Sequence, residues 1–461
     1  MTNRLRLILL TVCLLLVAGK PMSEPEILEK IVLGKIWSAV PVQFCLLTHG
    51  DRQYVAYFNA NRRMVVAMRS LTETNFTQTV LPSRSGKPPT RSTSSTVQGW
   101  DSHNYLTLAV DSAGYIHLAG NMHASPLTYF RSRKPGDVTS LEQVDAMVGT
   151  NEARCTYPKF LTGPAGELIF HYRGGGSGNG NEIFNVYDLA TRRWRRLLDT
   201  PLTDGRGKRN AYLNGPRLGP DGWYHLLWVW RESPAAETCN NLSYARSRDL
   251  RHWENAAGEA LELPITLESK GVIIDPIPVN GGIINGCHQF GFDSQNRVVV
   301  TYHKHDAAGN TQAYAARFED GAWRIRAISK WEGRHIFQDG GSGPATFGTS
   351  LVLGAVTPHG PGQLALAFRH WKAGRGLLVF DEKTLEPLGT EPPPPSRYPP
   401  ALLKPTANFP GLQVNWCEDA TGRYVLRWET LGPNRDRPRE GPLPENGDLV
   451  LYRIKMTGET K

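Results

Sequence analysis

Two histidines, a tyrosine and two arginines stand at matching points of three similar stretches of this chain. The first runs His103–Asn104–Tyr105, an apolar run, the turn Asp111–Ser–Ala–Gly114, a second apolar run, then Asn121–Met122–His123. The second leads from Tyr157 through Gly163–Pro–Ala–Gly166 to His171–Tyr172–Arg173. The third passes through Gly219–Pro–Asp–Gly222 and ends at Trp230–Arg231. Apolar runs flanking a tight turn read as β-hairpins, whose outer ends lie together, opposite the turn. His103, His123, Tyr157, Arg173 and Arg231 are therefore expected on one face. Taken singly, a strand-end histidine is most often a hydrogen-bonding partner, Tyr157 a core aromatic and each arginine a surface cation. Together they form an acid/base set with a forked, permanent cation suited to a carboxylate.

Acyl transfer needs an activated serine or cysteine, and no nucleophile elbow is present. Ordinary glycoside hydrolysis needs two carboxylates, and the sequence places none on this face. Histidine, tyrosine and arginine suit removal of a proton next to a carboxylate, as at C5 of a uronic acid. That proton becomes more acidic when the carboxylate charge is neutralised. Its removal with expulsion of the oxygen at C4 is the polysaccharide lyase reaction. His103 is expected to be the base and Tyr157 the acid for the leaving oxygen, and the two roles are exchangeable. Arg173, helped by His123, is expected to hold the carboxylate and stabilise the enolate.

The scaffold follows from repetition. Similar units recur around Phe44–Tyr57, His288–Tyr302, Ser350–Phe368 and Leu412–Trp428, which makes seven in all. At 461 residues, length alone would suggest about three domains. Seven alike β units with few amphipathic helices point instead to an all-β fold: a single seven-bladed β-propeller over residues 24–461, each unit part of a four-stranded blade. The stretch Glu391–Pro400 is proline-rich and extended, a connection before the last blade. Gly174–Gly180 follows Arg173 directly and is permissive enough to approach a ligand or to move. No Lys–Ser/Thr follows it, so it is not a phosphate loop. Ser247–Arg–Asp249–Leu–Arg–His–Trp253 reads as a structural blade-edge turn.

Arg4 and Arg6, the apolar run Leu7–Val17 and Ala18–Gly19 make residues 1–23 a secretory signal. The run is too short for a membrane span, so the chain is expected to be secreted or periplasmic, with no membrane attachment after cleavage. Cys13 lies inside the signal. The five remaining cysteines, an odd and sparse set, do not read as a disulfide framework. They are buried thiols or ligands of a metal. The net charge of +9 favours a polyanionic partner, and no nucleic-acid module is recognisable.

The chain resembles the seven-bladed propeller lyases that cleave rhamnosyl–glucuronic acid linkages, the ulvan lyases and the lyases of gum arabic side chains, with BNR-type repeats. The matching stretches include Asp101–Ser–His103–Asn104, Gly120–Asn–Met–His123, Thr156–Tyr157–Pro–Lys–Phe160 and Phe170–His–Tyr–Arg173. Further matches are Asn210–Ala–Tyr212, Val229–Trp–Arg231, Cys287–His–Gln289 and Tyr302–His–Lys–His–Asp306. The resemblance implies that His103, His123, Tyr157 and Arg173 form the active site. Arg231, Asn104 and Tyr212 are expected to bind substrate, and an anionic rhamnose/uronic-acid polysaccharide or oligosaccharide is the expected substrate.

Leu46–Tyr57 resembles instead a family of propeller α-L-rhamnosidases, which implies an alternative catalytic residue, His49, at the turn end and hence on the opposite face. A non-catalytic glycan-binding propeller is a third reading, against which the retention of all four active-site groups argues. No cofactor is expected for catalysis. Related lyases carry a structural zinc, and His225, Cys239, Cys287, His288 and His303 supply enough candidates for a tetrahedral site. Adjacent Cys287 and His288 can both bind only where the strand bulges or ends.

Overall fold

The repeating turn read from the sequence is built the same way each time. In Asp111–Gly114, Gly163–Gly166 and Gly219–Gly222 the N–H of the fourth residue donates to the carbonyl of the first. The N–H of the first donates to the carbonyl of the fifth. Asp293–Asn296 closes identically. The fourth residue has positive φ (Gly114 84°, Gly166 79°, Gly222 79°, Asn296 60°), a conformation glycine and asparagine tolerate best. Alternating apolar residues then carry each strand pair away from its turn.

The structure, a computed structural model, describes residues 25–82, 95–97, 99–335 and 351–455. The signal expected over 1–23, with Cys13, lies outside them. Among the described residues the chain is all-β apart from short 3-10 turns, as expected, and forms seven antiparallel sheets. Each hairpin read from the sequence is the first strand pair of one sheet. Leu106–Val110 pairs with Ile116–Gly120, Cys155–Thr162 with Leu168–Gly176, and Asn210–Leu218 with Tyr224–Arg231. The first strands of successive sheets touch: Cys45–His49 meets Leu106–Val110 on one side and Leu412–Glu418 on the other.

One strand was not legible as a hairpin. Glu26–Ile36 pairs with Gly447–Lys455, so the N-terminal strand completes the last sheet. At this seam between chain ends the last sheet shares a core with the first. Trp428 is fully buried and its ring lies 4.6 Å from Phe44 of the first sheet. Thr48 donates to Asp419 at 2.7 Å, and Leu431 N–H donates to Ser38. Trp428→Ala is expected to cost about 3–5 kcal/mol, read as a lower urea midpoint. A loss below about 1 kcal/mol would show that the seam does not depend on this ring.

Ser247 Oγ accepts from Leu250 N–H and donates to the His252 carbonyl, Asp249 caps two further N–H groups, and Trp253 is buried. That turn is structural. Gly174–Gly180 is a paired extension of the hairpin Leu168–Gly176/Asn179–Asp188 rather than an open loop, with Gly175 opposite Gly180 and Gly176 opposite Asn179. A Cβ on Gly178 would sit 2.6 Å from Ser233, and one on Gly180 3.0 Å from the Arg173 side chain. The glycines let this backbone close down over Arg173. No helix among the described residues is long and apolar enough to cross a membrane.

Candidate active site

The far ends of the second and third sheets are joined by a short strand, His123–Ser125, which pairs with the start of Cys155–Thr162. Left-handed residues flank its histidine on both sides, Asn121 at φ 56° and Ala124 at φ 50°. Ala124 N–H donates to Thr156 Oγ1 at 2.7 Å, and the same oxygen accepts Arg173 Nη2 at 3.1 Å. Thr156, fully buried, thus ties the histidine strand to the arginine.

Next to it the ladder breaks. Pro158 has no N–H to donate, and the pairing between the two strands slips between Thr156 and Lys159. Tyr157 takes φ 57°, an outlier for a bulky residue that persists only where its surroundings enforce it. The bulge aims its ring between Arg173, whose guanidinium lies 4.9 Å from the ring centre, and the His103 ring, 6.1 Å away. His103 and His123 stack at 4.2 Å. The structure thus brings His103, His123, Tyr157 and Arg173 together from two sheets.

Asp101 organises both histidines. One oxygen lies 2.9 Å from His103 Nδ1 and accepts the His103 backbone N–H; the other lies 2.6 Å from His123 Nδ1. A second carboxylate, Asp436, approaches His103 Nδ1 at 3.2 Å. Two carboxylates therefore stand on a face for which the sequence predicts none. Asp101 was legible as a side chain two residues before a histidine, an Asx-type turn. Asp436 carries no such local signal. Neither suits the protonated acid of a glycosidase. Burial opposes ionisation of both, but hydrogen bonds from the histidines outweigh it and hold both carboxyls low.

The same bonds act on His103. Burial disfavours its imidazolium, yet hydrogen bonds to Asp101 and Asp436 prevail and raise its pKa to about 9. With Nδ1 held by carboxylates, Nε2 is the nitrogen from which the ring exchanges a proton with a ligand. Tyr157 is displaced further in the same direction. Burial and then the neighbouring Tyr212 push its phenol well above the ordinary 10, against the pull of Arg173 and Arg231.

Arg173 is 1% exposed. Its polar partners are neutral, Thr156 Oγ1 and, at 3.3 Å, Tyr212 Oη. Among the described residues no carboxylate pairs with it within 4 Å. The nearest acidic neighbour on the adjacent strand, Glu182, is engaged by His171 at 2.6 Å. A buried guanidinium with no counter-ion costs several kcal/mol, and an anion delivered from solution relieves that cost.

The other expected residues divide. Tyr212 belongs to the site: its hydroxyl lies 2.7 Å from Ser177 Oγ, and its ring packs edge-on to Tyr157 at 6.1 Å. Asn104 is buried beside His103. Arg231 reaches the Tyr212 ring at 5.1 Å, but its donors are spent on the Ser233 and Pro234 carbonyls and on Asn285 Oδ1. It braces the pocket wall rather than forming a second fork, because the loop after its strand folds back over it. His49 is exposed, at the turn joining Cys45–His49 to Arg52–Phe58, at the opposite end of its hairpin from the active-site ends.

Among the described residues, the five considered for zinc do not bring three ligand atoms within 4.8 Å of one another. His225 lies between Tyr244 Oη at 2.7 Å and Asp221 at 3.0 Å. Among the described residues, the group of three or more ligand atoms within 4.8 Å of one another is Asp101, His103, His123 and Asp436, and it includes none of the five. Cys239 donates weakly to Asn285, and burial raises its thiol to about 11. Burial pushes His288 down to about 4 and His303 to about 3. The five cysteines of the described residues are free thiols. Cys239 opens a strand of the fourth sheet, while Cys287 and His288 precede the fifth sheet and His303 lies within it.

Comparison with known proteins bears on this geometry. Over 135 residues, 27% of its length, the chain is 30% identical to the short-isoform ulvan lyase of Alteromonas sp. (strain LOR), covering 26% of that protein. Over 155 residues, 32% of its length, it is 39% identical to the long-isoform ulvan lyase of Glaciecola sp. (strain KUL10), covering 15% of it. The chain therefore spans only a minor part of the curated relatives it matches. The fold aligns much further. The crystal structure of the polysaccharide lyase Uly1 superposes over 93% of this chain and 99% of its own, with TM-score 0.57 at 12% identity. A PL25 ulvan lyase bound to -[GlcA(1-4)Rha3S]- superposes over 93% and 96%, with TM-score 0.54 at 11% identity. The fold is thus that of the ulvan-lyase propellers. The model described as "BNR repeat-containing family member" matches residues 52–331, more than half of the 461, and the chain belongs to that family.

Proposed function

We propose that the protein is a polysaccharide lyase that cleaves a rhamnose–glucuronic acid linkage by β-elimination. The observation that carries this reading is Arg173, a buried cation without a carboxylate partner, set behind Tyr157 and beside two aspartate-held histidines. A uronate carboxylate supplies the missing counter-charge. Arg173 and His123 then neutralise it and stabilise the enolate. His103 Nε2 takes the C5 proton, the C4–O bond breaks as the C4–C5 double bond forms, and the Tyr157 hydroxyl protonates the departing oxygen. The raised pKa values are ordered for this division of labour. The phenol, pushed above His103, still holds its proton at the pH where the imidazole has lost its own.

Likeness to ulvan lyases, one of them bound to a glucuronate–rhamnose sulfate oligosaccharide, supports an anionic polysaccharide as substrate. In this reading each of the seven sheets is one blade of a seven-bladed propeller, and residues 1–23 direct the protein to the periplasm or the exterior.

The test is ultraviolet absorbance of the unsaturated uronate while purified protein acts on ulvan and on rhamnose-capped arabinogalactan oligosaccharides. Absorbance is expected to rise, and His49→Ala to leave the rate unchanged. Free rhamnose without absorbance would transfer the chemistry to the His49 face and overturn the elimination.

A further inference from the structure

Asp436 comes from the last sheet, in the connection between Tyr424–Leu431 and Gly447–Lys455. It lies 333 positions from His103 in the chain. The connection is braced internally. Asn434 Nδ2 donates to the Arg437 carbonyl at 3.0 Å and to that of Pro438 at 3.3 Å, and Arg439 donates to the Gly432 carbonyl. At its tip two consecutive residues are left-handed, Arg435 at φ 52° and Asp436 at φ 57°. Non-glycine residues held this way carry strain that the surroundings must sustain. Here the result is a carboxylate aimed out of the connection. One oxygen accepts Ser102 N–H at 2.9 Å and Ser102 Oγ–H at 3.1 Å; the other reaches His103 Nδ1 at 3.2 Å.

We propose that Asp436 is a positioning residue: the last sheet sets its carboxylate against His103 Nδ1, beside the Asp101 oxygen that takes the Nδ1 proton, which makes Nε2 the stronger base for the substrate proton. The proposal rests on the elimination described above. The groups facing His103 are few. Asp101 lies on its own turn, Asp436 on the last-sheet connection, His123 stacks at 4.2 Å, and Tyr157 stands at 6.1 Å with Arg173 behind it. Asp101 is shared between both histidines, whereas Asp436 reaches only His103 among the ion pairs of the described residues. A carboxylate on Nδ1–H raises the proton affinity of the far nitrogen. Carbon-acid deprotonation gains rate from a stronger base, provided the pH suffices to free it. The burial penalty on His103 is overcome by Asp101 and Asp436 acting together. Removing one should therefore lower the base without abolishing it.

Asp436→Asn keeps the shape and removes the charge. In the unaltered protein kcat/KM should rise with pH, with its midpoint near 9. In Asp436→Asn the midpoint of that rise should fall by about one pH unit, with a lower plateau; Asp436→Glu should recover part of the shift. A purely structural role would lower kcat at every pH and leave the midpoint in place. Imidazole titration of His103 by NMR in both proteins reads the same coupling without turnover. A His103 titration that Asp436→Asn leaves in place overturns the role of Asp436, whatever the activity. A titration that shifts while the unaltered protein makes no unsaturated product overturns the elimination beneath it.

Discussion

His103→Ala is expected to lower the rate of unsaturated-product formation by about 10²–10⁴-fold, with kcat carrying the loss. The residue sits before the strand Leu106–Val110, a quarter exposed, and packs by stacking on His123. Truncation there removes no core volume, and Asp101 retains its bond to His123 at 2.6 Å. The thermal midpoint should therefore stay close to that of the unaltered protein. Arg173 and Tyr157 remain to bind and polarise the uronate, so KM should change far less than kcat. Retention of more than about a tenth of the rate would show that another group removes the proton. The exchange of roles with Tyr157 would then be the first alternative to test.

The second large effect separates activity from stability. Arg173→Met should reduce kcat by about 10²–10³-fold, the scale of losing one electrostatic stabiliser of a developing anion. Yet the fold should hold, and the unfolding free energy should stay the same or rise by about 1–2 kcal/mol. Methionine keeps an unbranched apolar stem in a site that is 1% exposed. It removes a charge whose hydrogen-bond partners are neutral and which packs against the Tyr157 and Tyr212 rings, while Glu182 opposite it is held by His171. Those partners are not stranded, since Thr156 Oγ1 still accepts Ala124 N–H and Tyr212 Oη still meets Ser177 Oγ. Denaturant unfolding beside the absorbance assay checks both halves. A destabilisation of several kcal/mol would mark Arg173 as a structural residue and remove the main support for a carboxylate site.

Much of the site was legible because hairpins obey local rules. A turn whose fourth residue must tolerate positive φ, flanked by period-two apolar runs, sets which residues stand at the outer ends. That placed His103, His123, Tyr157 and Arg173 at like positions, and the structure brings them within ring-stacking and cation–π distance. Pro158 could have announced the bulge that turns Tyr157, since a residue without N–H interrupts a ladder. Arg231 stands at a hairpin end like Arg173, yet the loop that follows and the distant Asn285 occupy its donors. Position at a strand end says nothing about which side chains remain available.

The sequence by itself determined the repeating hairpin, the all-β class and the end of each hairpin at which acid/base groups collect. Each depends on interactions a few residues apart. Only the tertiary structure decided which groups meet across sheets. It brought Asp436 to His103 from the far end of the chain and docked Glu26–Ile36 onto the last sheet. Such contacts depend on how the ends of the chain close on one another, and their sequence separation carries no period from which they can be read.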